Sequence, residues 1–120
     1  MKVLISQDEE ILITAIEFRL RKHGFEVLIA KDGKQALEII KREKVDIVIA
    51  DLAMPKVNGL ELVETLRNKN RSNLPVIVIG SLEEGDGLLE ALHKGANDFV
   101  TKPFKPVELI LRIRKLLNAQ

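Results

Sequence analysis

Three side chains far apart in the chain share one setting. Asp8, Asp51 and Lys102 each stand just past a short apolar run: Val3-Leu4-Ile5, Val45 to Ala50, and Phe99 to Thr101. Laid side by side as parallel strands, these runs would bring two carboxylates and an ammonium to one rim of a sheet. Crowded carboxylates repel, and a hard divalent cation relieves that repulsion; magnesium takes one or two carboxylates, a carbonyl and several waters. A cation there would also neutralise an incoming phosphoryl group, while the Lys102 ammonium holds another of its oxygens. A carboxylate freed from full solvation can then attack phosphorus and form an acyl phosphate. The chemistry suggested is phosphoryl capture on aspartate.

The elements that must position these groups follow from the apolar pattern. The chain has 120 residues, 46% hydrophobic and 31% charged, enough for one domain (1–120) with a core of its own. Its net charge of +1 gives no strong field for nucleic acid or an anionic membrane, and zero Cys excludes disulfides and thiol chemistry. No apolar run reaches membrane-span length, so a cytoplasmic location is expected. There are five short β-branched runs (3–5, 25–30, 45–50, 76–79 and 99–101), most of them without polar alternation, as strands buried on both faces are. Helical spacing separates them. The expected apolar faces are Ile11, Leu12, Ala15 and Ile16; Ala36, Leu37 and Ile40; Leu62, Val63 and Leu66; Leu88, Leu89 and Leu92; and Leu109, Ile110, Ile113 and Leu117. Gly24 and Gly95 mark helix ends, Asp32 with Gln35 and Asn58-Gly59 mark helix starts, and Pro106 fits a first turn. Residues 70–74 read as a polar loop. The fold class is α/β, a (βα)5 doubly wound parallel sheet, whose ligands bind beyond the carboxyl ends of the strands. Asp8 has a second reading, as the cap of the first helix with Ile11 opening its buried face.

With these residues in place, the chain resembles the CheY-like receiver domain of bacterial two-component response regulators over its whole length. The resemblance is carried by Lys2 to Ile5 leading to Asp8, by Val45 to Asp51, and by Met54-Pro55 with Asn58-Gly59. Pro75 to Ile79 and Gly95 to Phe104 complete it. It implies a flavodoxin/CheY-like five-stranded sheet of order 2-1-3-4-5 and Mg²⁺ as cofactor. The implied donor is the phosphohistidine of a sensor histidine kinase or phosphotransfer protein. Asp51 falls on the phosphoacceptor and Asp8 on the coordinating acid. Ala53 falls on the residue whose backbone carbonyl completes the metal site, Lys102 on the phosphoryl-binding lysine, and Phe99 on the switch aromatic. A cis Lys102-Pro103 bond is implied too. Such a domain is not chiefly an enzyme: it catalyses only its own phosphorylation and slow dephosphorylation, and it signals to a downstream effector protein or domain.

Two positions depart from the pattern. Gln7 stands where the family carries an acid, which predicts a weaker metal contact or one through water. Gly80 stands where the family has a hydroxyl that bonds the phosphoryl group; the adjacent Ser81 is the alternative source, although successive strand residues face opposite sides. These departures favour the competing reading, a pseudo-receiver that acts as an interaction module independently of phosphate. The segment from Pro106 to Leu117 resembles the last helix of OmpR/PhoB-type receivers, which implies a dimer face with acids near Asp98 meeting the arginine at Arg112. Leu88 replaces a basic residue usual there, so a monomer or weak homodimer is expected. No direct nucleic-acid or membrane contact is expected of this chain.

Overall fold

The β-branched runs form the strands, where branched side chains fit a pleated surface packed on both sides. β1 (Lys2–Ser6), β2 (Glu26–Ala30), β3 (Ile47–Asp51), β4 (Val76–Ser81) and β5 (Asp98–Lys102) make one parallel sheet of order 2-1-3-4-5. Between and after them lie α1 (Glu10–Lys22), α2 (Gly33–Arg42), α3 (Gly59–Glu64), α4 (Gly85–Lys94) and α5 (Pro106–Asn118). This structure, a computed structural model, describes residues 1–70 and 72–118. Arg71, in the expected polar loop, and residues 119–120, at the end of the expected domain, lie outside the described residues. No helix among the described residues is long and apolar enough to cross a membrane.

Strand alternation divides the interior into two cores. Leu4, Val48, Ala50, Val76 and Val78 face α2, α3 and α4, while Val3, Ile5, Ile47, Ile49, Ile77 and Ile79 face α1 and α5. The punctuation read from the sequence is present. Gly24 and Gly95 take φ of +88° and +122° after α1 and α4, and the Lys102-Pro103 bond is cis. Asp32 accepts a hydrogen bond from the Gln35 N–H at 2.7 Å, and Asn58 with Glu61 closes a reciprocal capping box at the start of α3.

Several expectations change, among them Leu89, expected on the apolar face of α4 and 61% exposed. In α1 the buried stripe is Ile13, Ile16 and Leu20, whereas Ile11 (89% exposed) and Ala15 point outward. Three consecutive apolar residues, Ile11 to Ile13, leave the phase of the helix undetermined by periodicity, and the way the chain enters the helix from β1 fixes it. The cap of α1 is Glu9, with no side-chain bond to the helix, so Asp8 does not cap it. Strand ends also shift: β4 runs on through Gly80 and Ser81 because these residues ladder with Thr101 and Lys102 of β5.

Candidate functional site

The central strand ends on Asp51, whose carboxylate is only 2% exposed. Such burial of a charge is sustained by donors, and three converge here. The Ala53 N–H donates to Oδ1 at 2.8 Å, and the Gln7 side-chain amide donates to Oδ2 at 2.7 Å. The Lys102 ammonium lies 2.6 Å from the same Oδ2. The register explains the convergence. Ser6 pairs with Ala50, so Gln7 leaves β1 beside Asp51; Lys102 ends β5 and reaches Asp51 past the end of β4. Behind the acid, α3 approaches closely: a Cβ on Gly59 would sit 2.9 Å from the Asp51 carbonyl oxygen, so glycine permits this contact.

Lys102, 25% exposed, also donates to Glu9 Oε1 at 2.9 Å. Burial disfavours its ammonium, but the hydrogen bonds and charges of Asp51 and Glu9 outweigh that cost and hold its pKa above the ordinary lysine value. Gln7 is 1% exposed and both its polar atoms are bonded: besides the bond its nitrogen donates to Asp51, its Oε1 accepts the N–H groups of Asp8 at 3.0 Å and Glu9 at 3.1 Å. Asp8 lies exposed at the rim beside them. The described residues hold no cluster of three or more His, Cys, Asp or Glu side chains fit for a metal. Two carboxylates, Asp51 and the open Asp8, are nonetheless a donor set magnesium accepts when waters complete its shell. The Gln7 oxygen is turned away from Asp51 toward the backbone.

Gly80 and Ser81 divide differently from expectation. A Cβ on Gly80 would meet Leu52 Cδ1 at 3.0 Å, Leu88 Cδ2 at 3.1 Å and Glu84 Oε1 at 3.4 Å. Leucine side chains therefore close the space beside it. Ser81 pairs directly with Lys102, and residues opposite one another in a ladder share a face, so alternation favours Ser81 rather than opposing it. Its hydroxyl and N–H both donate to Glu84 Oε1, at 3.2 and 2.9 Å. That Ser-x-x-Glu pattern is a capping signature, the one local signal in the sequence for this turn. The ion pair of Glu9 with Lys102 joins segments 93 positions apart and leaves no local signal in the sequence. Phe99 is half-buried against the core beneath α4. Asp98 and Arg112 pair with each other within the chain at 2.8 and 2.9 Å, and Arg112 also reaches Glu108 at 3.3 Å. The partners expected across a dimer face are thus already joined inside one molecule.

Comparison with known proteins agrees with this geometry. Residues 3–114 match the family model described as response regulator receiver domain. The chain is 42% identical to the sensory transduction protein RegX3 of Mycolicibacterium smegmatis, over 97% of this chain and 50% of that protein. It spans about half the length of the curated relatives it matches. Among solved structures, the receiver domain of the Francisella response regulator 1452 superposes with a TM-score of 0.91 at 34% identity, covering 98% of this chain and 97% of that one. The receiver domain of the Pseudomonas aeruginosa sensor histidine kinase PA1611, which carries a magnesium ion coordinated in its active-site cleft, gives 0.86 at 27% identity, covering 98% and 97%. With a sheet of order 2-1-3-4-5, an aspartate ending its central strand and a family match along nearly the whole chain, this protein belongs to the response regulator receiver family of two-component signalling.

Proposed function

We propose that Asp51 accepts a phosphoryl group from a phosphohistidine on a sensor histidine kinase or phosphotransfer protein. The observation that carries this reading is the buried Asp51 carboxylate held between the Gln7 amide and the Lys102 ammonium at the open end of the central strand. A carboxylate oxygen attacks phosphorus, the phosphorus–nitrogen bond breaks, and the departing imidazole keeps the electron pair and takes a proton. The product is an acyl phosphate. Lys102, on an adaptable four-carbon stem, follows the negative charge from the carboxylate to a phosphoryl oxygen. Mg²⁺ would be held by Asp8, Asp51 and the carbonyl of Ala53, and would supply neutralisation of phosphoryl charge. The chain acts as a phosphoacceptor rather than an enzyme on other substrates, apart from slow loss of its own phosphoryl group. Its signal passes to an effector protein or domain through Phe99 and the corner between β4 and α4. That signal is weakened because Gly80 brings no hydroxyl and leucines fill the space beside it.

Incubation with Mg²⁺ and a small phosphodonor, followed by intact mass measurement, is expected to add one phosphoryl group to the wild type and none to Asp51→Asn. Uptake that survives the substitution overturns the assignment. No uptake by the wild type supports the second reading, favoured by Gly80 and Gln7, of a phosphate-independent interaction module.

The outward stripe of α1 supports a protein donor. Ile11, Ala15 and Phe18 (64% exposed) form an apolar strip on a helix whose first turn adjoins Glu9 and the site. Ile11→Glu is expected to slow transfer from the phosphorylated donor protein by about tenfold, the size of one interface hot spot. The rate with a small phosphodonor and the melting temperature should stay unchanged. Equal slowing with both donors would place the effect in the site rather than in docking.

A further inference from the structure

Resting on the reading of this pocket as a cation-assisted phosphoacceptor site, we propose that Gln7 is a positioning residue that competes with the divalent cation for Asp51. It keeps the acid paired when no cation is bound and so sets how much magnesium the domain needs.

The orientation of the amide is fixed by its partners. Its nitrogen donates to Asp51 Oδ2, and its oxygen accepts the N–H groups of Asp8 and Glu9. Rotating it by half a turn would set oxygen against carboxylate and NH₂ against two N–H groups, losing all three bonds. With Gln7 only 1% exposed, water would not replace them. In this orientation the amide cannot ligate a cation near Asp51, because the atom turned toward the acid is a donor. It occupies an oxygen the cation would otherwise take: with the Ala53 N–H and the Lys102 ammonium, it completes the set of donors that holds the carboxylate. An acid at position 7 would instead add a negative charge beside Asp51, which only a cation could balance. The same side chain ties down the segment carrying Asp8, since two consecutive N–H groups converge on its oxygen. A cation drawing on both Asp8 and Asp51 must therefore loosen a bond that already holds Asp51.

Magnesium affinity separates a competitor from a ligand. Titration of the intact protein with Mg²⁺ is followed by calorimetry and by amide NMR, because the chain has neither Trp nor Tyr to report by fluorescence. Gln7→Met keeps the approximate length and removes the donor, so it is expected to bind Mg²⁺ several-fold more tightly than the wild type. Gln7→Asp is expected to bind about tenfold more tightly. Without cation Gln7→Asp should melt lower than the wild type, and Mg²⁺ should restore it, while the wild-type melting temperature barely responds. If Gln7→Met binds Mg²⁺ equally or more weakly, Gln7 is a ligand or a packing element and the proposal fails. It fails equally if Gln7→Asp is as stable as the wild type in the absence of cation. Should Gln7→Asp not fold even with Mg²⁺, the Gln7→Met titration decides alone. None of these readouts needs phosphorylation, so they remain decisive whether or not Asp51 takes up a phosphoryl group.

Discussion

Lys102→Met is expected to lower the unfolding free energy by about 1–3 kcal/mol, the cost of leaving a buried charged group short of a partner. Asp51 would keep the Gln7 and Ala53 donors but lose the only full positive charge among the partners of its carboxylate in the described residues. The lysine is partly solvated, which holds the effect below that of a fully buried pair broken on one side. Adding Asp51→Asn to Lys102→Met should recover much of the loss, because the charge that lacked a partner is then gone. A double-mutant cycle in urea measures this coupling, and simple additivity of the two substitutions would contradict it. The pH dependence has a definite sign. Pairing raises the Lys102 pKa above its ordinary value of 10.5, so its stabilisation is complete below that pH. The stabilisation is lost as pH rises through the higher folded value. The gap between wild type and Lys102→Met should therefore be constant near neutrality and narrow in strong alkali.

Gly33→Ala is expected to destabilise the domain by about 2–3 kcal/mol, although alanine is the better helix former by roughly 1 kcal/mol. A Cβ on Gly33 would lie 1.8 Å from the Val57 carbonyl oxygen and 2.6 Å from its carbon, both backbone atoms. No rotamer change relieves an overlap with backbone, so the start of α2 and the segment joining β3 to α3 must separate. That segment also contains Lys56, a non-glycine residue at φ +65° whose ammonium lies 3.7 Å from Asp32. Because it leads directly from Asp51 and Ala53, its displacement should slow phosphoryl uptake as well as lower the urea midpoint. A midpoint equal to or above that of the wild type, at an unchanged denaturant slope, would show that the overlap is relieved without cost.

Much of this molecule was legible in the residues. The alternation of β-branched runs with helical spacing specified five strands and five helices, because buried parallel strands and amphipathic helices demand different periods. The rim position of Asp51 and Lys102 followed from their places just past those runs. Gly24, Gly95 and Asn58 marked helix limits because each meets a local backbone requirement that acts over a few residues. The phase of α1 was beyond the reach of sequence, since Ile11, Leu12 and Ile13 offer more than one apolar face and only packing against the sheet selects Ile13, Ile16 and Leu20. So was the meaning of Gly33, whose constraint comes from the backbone of Val57. Gln7 read as a lost acid, and tertiary structure makes it the bonded neighbour of the acid 44 positions away. Ser81 read as facing the wrong way, and the register with β5 sets it opposite Lys102. Local preferences fix which elements form and where they stop; which side chains touch depends on register and helix phase, and these are set by contacts between segments distant in the chain.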